Sequence, residues 1–154
     1  MTREEFIKRL DKEGFEYMIE GDKIVITHSY GGIGQGRDDA HLVSLVGLVE
    51  FRNKGIVDLY YLTSLPPDTE FNNGGRVNLN SLTSLPPSTK FNNGGDINLD
   101  SLTSLPPGVK FNNRGDVYLG YLIGTWLDDW KGNIDGIDSK RLLNLMISKG
   151  VFER

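Results

Sequence analysis

Two histidines and two aspartates form the one group in this sequence whose residue types and spacing suggest a metal site or an acid–base site. They are His28, Asp38, Asp39 and His41, in and beside a glycine-rich stretch. Imidazole and carboxylate groups bind zinc, and in pairs they act as general acids and bases. No third partner is evident, and the chain has no cysteine to supply a thiolate ligand or nucleophile. We therefore predict a protein without catalysis, cofactor or bound metal, and an enzyme or metal site in residues 28–41 is the alternative.

The glycines from Gly31 to Gly36 have a spacing similar to that of nucleotide-binding loops. A P-loop requires Lys followed by Ser or Thr and then a helix, whereas this stretch continues into Arg37, Asp38 and Asp39. A dinucleotide fingerprint requires a βαβ unit, which the flanking sequence does not predict. We interpret residues 29–41 as an inserted surface loop, a kind of segment that often carries function on a rigid scaffold.

A tandem repeat forms the scaffold on which any functional site of this chain must lie. Its four units begin at Phe51, Phe71, Phe91 and Phe111, and the second and third units are identical at fifteen of twenty places. We number the places of a unit from 1, at the phenylalanine, to 20. A fixed period of this size is typical of a solenoid, in which each unit is a coil that rests on the next. The predicted fold is mainly β, a short β-solenoid of four to five coils over residues 42–124.

Several places of the unit predict particular local structures. Val-x-Leu at places 7 and 9 has a period of two and predicts a strand with one buried face. Places 19 and 1 predict a second short strand, and Pro-Pro at places 16 and 17 ends regular pairing because proline has no N–H. Asparagine at place 3 is expected to form a ladder between coils and to satisfy the backbone of the turn. Because place 4 also holds Lys54 and Arg114, we expect glycine to be required only at place 5, for a positive φ.

The flanks predict covers for the two open ends of the solenoid. Thr2 and Glu5 form a capping-box pattern at the start of a helix over 2–13, and two strands follow around Gly21 and Asp22. A second helix is predicted over 138–149, next to the last coil. The chain is thus one domain with four parts: an N-terminal α/β cap (1–28), the glycine-rich loop (29–41), the solenoid (42–124) and a helical C-terminal cap (125–154).

Charge and hydropathy exclude several classes of partner. The net charge of −4 argues against direct nucleic-acid binding, because phosphate contact needs a basic surface. The sequence shows neither an apolar run long enough for a membrane span nor a signal peptide. We expect a cytoplasmic protein, in the host cytoplasm if a phage encodes it, that is a monomer or a homodimer.

The outward places of the Val-x-Leu strand, and of the corner after it, combine aspartate with tyrosine. Tyrosine is favoured at interfaces because it offers a large contact area and a polar tip. We therefore predict that this side of the solenoid binds another protein. Its aspartates could also imitate the charge of DNA in a weak form of DNA mimicry. A solvated sheet face, a self-associating structural repeat and an ice-binding ladder of Thr63, Thr83 and Thr103 are the alternatives. The predicted binding residues are Asp58, Tyr60, Tyr61, Asp96, Asp100, Asp116, Tyr118 and Tyr121.

The unit Leu-Thr-Ser-Leu-Pro-Pro with its asparagine-bearing turn resembles the short bacterial leucine-rich repeats of the Leu-Pro type. It departs from them in having Phe-Asn-Asn-Gly-Gly where they have Leu-x-Val-x-Asn. It is more similar to repeat proteins of bacterial and phage genomes with units of Phe-x-Asn-Gly-Gly-x-Val-x-Leu-x-Ser-Leu-Thr-Ser-Leu-Pro, and this resemblance covers residues 42–124. It implies a solenoid and brings no catalytic residues with it. A phage setting would imply an inhibitor of a host protein, such as an anti-CRISPR or another anti-defence protein.

Overall fold

The computed structural model describes residues 2–27, 46–106 and 108–122. Within these ranges the repeat forms a β-solenoid of about three turns, preceded by a helix and a β-hairpin. The elements, in chain order, are α1 (Arg3–Lys12), β1 (Tyr17–Glu20), β2 (Lys23–Ile26), β3 (Val49–Phe51), β4 (Val57–Asp58), β5 (Glu70–Phe71), β6 (Val77–Asn78), β7 (Lys90–Phe91), β8 (Ile97–Asn98), β9 (Lys110–Phe111) and β10 (Val117–Tyr118).

Each repeat unit contributes one short strand to each of two sheets. One sheet has six strands in the order β1-β2-β3-β5-β7-β9, and the other has four in the order β10-β8-β6-β4. Equivalent places of successive units pair in parallel, as Phe71 does with Phe91 and Val77 with Ile97. Both strands predicted from the repeat are therefore confirmed. The described chain completes about three turns rather than four to five, and residues 42–45 and 123–124 of the predicted solenoid lie outside the described ranges.

The core lies between the two sheets and is built from columns of identical side chains. The phenylalanine rings at place 1 stack nearly parallel, with centroids 5.1 to 5.3 Å apart. All four rings are buried, and so are the leucines at places 9, 12 and 15. Since each ring packs against the one above and the one below, a coil is stabilised mainly by its neighbours.

The asparagine ladder at place 3 is confirmed, and its hydrogen bonds hold the turn between the two sheets. The Nδ2 of Asn73 donates to the backbone oxygens of Gly55, Gly75 and Arg76 at 3.1, 3.1 and 3.3 Å. Gly55 belongs to the preceding coil and the other two acceptors to the same coil. Asn93 repeats the pattern one unit later. The amides of Asn73 and Asn93 therefore tie two coils together, and they add a second donor to carbonyl oxygens such as that of Gly55, which also accepts from the Gly75 nitrogen at 3.1 Å.

The expected reason for glycine at place 5 is wrong, and the tolerance expected at place 4 does not extend to Gly74 and Gly94. The place-5 glycines do not have a positive φ. A Cβ at Gly95 would lie 2.7 Å from the backbone nitrogen of Arg76. A Cβ at Gly94, at place 4, would overlap the backbone oxygen of Gly74. Glycine is needed at Gly74, Gly94 and Gly95 because a Cβ there would meet the backbone of the preceding coil. Lys54 belongs to the first unit of the repeat, and the presence of Arg114 at place 4 has no structural explanation.

Positive φ values occur instead at place 18, immediately after the two prolines. Asp68 and Ser88 both have a φ of 62°, and Gly108 has a φ of 81°. The turn therefore requires a left-handed residue, a conformation that aspartate and serine adopt at a cost and glycine adopts freely. The sequence prediction did not identify this place, because only one of its three residues is glycine.

The predicted N-terminal helix and hairpin are present and pack against the first coil of the solenoid. The Thr2 hydroxyl accepts from the backbone nitrogen of Glu5 at 3.2 Å, and the Glu5 carboxylate accepts from the Thr2 nitrogen at 2.7 Å, so the capping box is present. Phe6 and Leu10 of α1 are fully buried in the core. The hairpin of β1 and β2 extends the six-stranded sheet, because β2 pairs in parallel with β3. The helix predicted over 138–149 lies outside the described residues.

Candidate protein-binding face

The solenoid places the predicted binding residues on the outer side of the four-stranded sheet and on the corner that follows it. Val57 and Leu59 point into the core, so Asp58 between them points outward, and the parallel register repeats this in each coil. Tyr60 and Tyr61 occupy the turn after β4, where the Leu62 nitrogen donates to the Leu59 oxygen at 2.9 Å. We call this surface the tyrosine–aspartate face; its residues are Asp58, Tyr60, Tyr61, Asp96, Asp100, Asp116, Tyr118 and Tyr121.

The four tyrosines lie at the two ends of this face. Tyr60 and Tyr61 belong to the first coil and contact each other edge to face, with ring centroids 5.1 Å apart. Tyr118 and Tyr121 belong to the fourth, which is three coil spacings or about 14 Å away. These side chains are between 44% and 62% exposed, and they are four of the seven large apolar or aromatic side chains exposed in the described part of the chain. Exposed aromatic area is therefore concentrated at the two ends of one surface.

Three of the four aspartates of the face also have a role in the fold. The Asp58 Oδ1 accepts from the backbone nitrogen of Tyr60 at 3.2 Å, a local turn that Asn78 and Asn98 repeat at the same place. The Asp96 and Asp100 Oδ1 atoms accept from backbone nitrogens one coil further along, at 2.8 and 2.9 Å. The sequence prediction placed these aspartates on outward places and did not include these hydrogen bonds.

The face is acidic, most of all in its third and fourth coils. Four aspartates lie on its outward places, and the one basic side chain on the same places in the described coils is Arg76. Asp116 is exposed, while Asp58, Asp96 and Asp100 are partly exposed. The surface thus carries a net negative charge, with Asp96 and Asp100 in a coil between the two tyrosine pairs.

His28, Arg37, Asp38, Asp39 and His41 all lie outside the described residues. In residues 2–27, 46–106 and 108–122 there is no cluster of three or more side chains that could hold a metal ion. Over the same ranges, no helix has the length and apolar character needed to cross a membrane.

A network of ion pairs on the outer side of the six-stranded sheet was missed from the sequence. Glu50 is at its centre and is only 3% exposed. Arg52 Nε lies 2.7 Å from one carboxylate oxygen of Glu50, and Lys23 Nζ lies 3.1 Å from the other. Arg52 also pairs with Glu20 and Lys23 with Glu70, at 2.9 and 3.4 Å. The opposite charges of Glu50 and Arg52, two residues apart, could have indicated part of this cluster, but the contribution of the hairpin is visible only in the tertiary structure.

The network controls the ionisation of Glu50. Burial by itself raises the pKa of the Glu50 carboxyl, but hydrogen bonds from Arg52, Asn72 and Lys23 outweigh it and lower that pKa from 4.5 to about 2. The same contact with Glu50 raises the pKa of Lys23. Hydrogen bonding to Arg52 lowers the pKa of Glu20. The Glu50, Arg52, Lys23 and Glu20 side chains are therefore charged near neutral pH and paired with one another. The cluster holds the hairpin against the first coils and has no free acid–base pair.

Comparison with protein-family models gave no match, and comparisons with curated proteins and with solved structures gave none either. The geometry supports a β-solenoid with a repeat of twenty residues, stacked phenylalanines and an asparagine ladder. The likeness to leucine-rich-repeat-like proteins of bacterial and phage genomes stays a prediction.

Proposed function

We propose that this protein is a non-catalytic binding protein that presents the tyrosine–aspartate face to another protein. The observation that carries the proposal is the placement of four exposed tyrosines on one surface, in two pairs at the ends of a face that carries four aspartates. Tyrosine side chains supply contact area at a low cost in conformational entropy, since each has only two χ angles to fix. The solenoid beneath them is tied together by stacked rings and ladders, so little further ordering is needed on binding.

The charge of the face determines the chemistry of the partner. Four aspartates against one arginine favour a protein surface rich in lysine and arginine, and they repel the phosphates of nucleic acid. A basic surface with apolar clefts on either side, about 14 Å apart, would match the two tyrosine pairs. Such a surface is typical of proteins that themselves bind nucleic acid, which is how a weak form of DNA mimicry would operate.

Affinity capture from lysate of the native host, followed by a binding titration with the captured protein, tests the proposal. The test variant is Tyr118→Ser with Tyr121→Ser. The matched control is Lys110→Ser with Asn112→Ser, two exposed residues on the outer side of the six-stranded sheet. We expect the tyrosine variant to weaken binding at least tenfold, because each buried interfacial tyrosine typically contributes about 1 kcal/mol or more. Equal affinity of both variants would show that the face is not the interface.

Two narrower questions need their own measurements. The resemblance to phage repeat proteins leads us to propose an inhibitor of a host defence protein; expressing the chain in a host with an active CRISPR or restriction system should then restore phage growth. Unchanged phage restriction would remove that part of the proposal and leave protein binding in place. Light scattering of the purified chain distinguishes a monomer or homodimer from a self-associating structural repeat, for which the measured mass would rise with concentration.

A further inference from the structure

Two Asn-Gly sequences, Asn73-Gly74 and Asn93-Gly94, lie in the most tightly packed part of the solenoid. In an unfolded chain this dipeptide is prone to deamidation, because glycine leaves its backbone nitrogen open to reaction. That nitrogen, once deprotonated, attacks the side-chain carbonyl carbon of the asparagine, the bond from that carbon to Nδ2 breaks and ammonia leaves. One water molecule then opens the cyclic imide and yields aspartate or β-linked isoaspartate.

The folded solenoid blocks both reacting groups. The Gly74 nitrogen donates to the Asn53 oxygen and the Gly94 nitrogen to the Asn73 oxygen, each at 2.9 Å. The Nδ2 of Asn93 donates to three backbone oxygens at 3.0 to 3.3 Å, which determine the orientation of the amide. Asn73 and Asn93 are 2% and 0% exposed, so water does not reach the carbon that reacts. Attack would require a coil to separate from the one before it.

We propose that Asn73 and Asn93 are latent deamidation sites that folding closes, and that their modification makes prolonged unfolding of this protein irreversible. Deamidation replaces a donor that faces three carbonyl oxygens with a carboxylate oxygen, so a buried charge meets only acceptors. Isoaspartate also adds a methylene to the backbone, which disturbs the twenty-residue register between coils. A chain modified at either site therefore cannot rebuild the ladder. The inference depends on the fold alone and not on the proposed binding function.

Peptide mapping by mass spectrometry of the full chain tests the first half of the proposal. The chain is incubated in mildly alkaline buffer with and without urea. Conversion at Asn73 and Asn93 is expected in urea, and it should be at least about tenfold slower in the folded chain, a factor that corresponds to about 1.4 kcal/mol of opening free energy. Asn78 and Asn98 are internal controls, because each precedes leucine and should stay unmodified in both samples. Equal rates at Asn93 with and without urea would overturn the proposal.

Substitution tests the second half. Asn93→Asp reproduces the main chemical change, and Asn92→Asp makes the same change at the exposed neighbouring residue, whose Nδ2 donates to the Asn72 side chain at 3.1 Å. We expect Asn92→Asp to retain cooperative unfolding and Asn93→Asp to lose it, as followed by circular dichroism during urea denaturation. If Asn93→Asp folds as stably as Asn92→Asp, deamidation does not make unfolding irreversible and that half of the proposal is wrong.

Discussion

The Asp96 carboxylate accepts a hydrogen bond from the backbone nitrogen of Asp116, twenty residues later, at 2.8 Å. One acidic residue of the tyrosine–aspartate face thus helps to hold the next coil, while the other is exposed. Charge reversal at Asp96 would therefore alter folding and binding together. Asp116 is the better probe of the face.

Replacement by alanine should separate these two roles. Asp96→Ala removes the bond between coils and should lower the free energy of unfolding by about 1 kcal/mol, the usual contribution of one intramolecular hydrogen bond. Asp116→Ala removes an exposed side chain and should change it by less than about 0.5 kcal/mol. Urea denaturation of both variants measures the difference. Equal losses would mean that the Asp96 contact is not formed in solution.

Close packing of the coils at place 4 makes Gly94 intolerant of a side chain. Gly94→Ala would bring a Cβ against the backbone oxygen of Gly74, which has no freedom to rotate away. We expect a loss of about 2 kcal/mol or more in the free energy of unfolding, within the range of overpacked core sites. Arg114→Ala, at the same place of the last described coil, is the control and should be nearly neutral. A stable Gly94→Ala protein would show that the coils can move apart at this turn.

Glu50 should give the protein a specific sensitivity to acid. Because its pKa is lowered from 4.5 to about 2 in the folded state, the ionised carboxyl stabilises the fold above pH 4.5, and this contribution is lost as the pH falls towards 2. It amounts to at most about 3 kcal/mol, at 1.36 kcal/mol for each unit of pKa. Glu50→Gln should therefore be less stable than the wild type at neutral pH. The difference in free energy of unfolding between the two proteins should narrow as the pH falls from 4.5 towards 2.

Denaturation at a series of pH values measures that gap, and Asn72→Ala is the informative companion variant. It retains the Glu50 carboxyl and removes one of its hydrogen-bond donors, the Asn72 amide at 3.1 Å. Its dependence on pH should lie between those of the wild type and Glu50→Gln. A gap of constant size from pH 4.5 to 2 would contradict the role assigned to Glu50.

The left-handed turn at place 18 predicts a substitution that stabilises the protein. Ser88 has a φ of 62°, which costs a residue with a Cβ about 1 kcal/mol or more. Ser88→Gly removes that cost, but glycine also gives the unfolded chain more conformational freedom, which offsets part of the gain. We therefore expect the free energy of unfolding to rise by a few tenths to about 1 kcal/mol. Ser84→Gly, at a place of the same unit without a positive φ, should lower stability. Thermal denaturation measures the stability of both variants. Equal losses of stability would contradict the prediction.

Much of the architecture follows from the repeat alone. The core residues recur at one interval: phenylalanine at place 1, asparagine at place 3 and leucine at places 9, 12 and 15. When equivalent places stack, each of these side chains is buried against identical side chains of the neighbouring coils. The same interval places Asp58, Tyr60 and their equivalents outside, since side chains alternate along a strand. The capping box of Thr2 and Glu5 was readable because it involves only neighbours in sequence.

Other features depend on distances between coils that no pattern of residue types encodes. Whether glycine at places 4 and 5 serves a positive φ or a close approach depends on how near the preceding backbone lies. The aspartates of the candidate face look alike in the sequence, yet Asp96 reaches the next coil while Asp116 is exposed. The pairing of Glu50 with Lys23 joins the hairpin to the first coil across twenty-seven positions. The sequence thus set the repeating contacts, because they follow from one period, whereas contacts that occur once depended on how the chain packs in three dimensions.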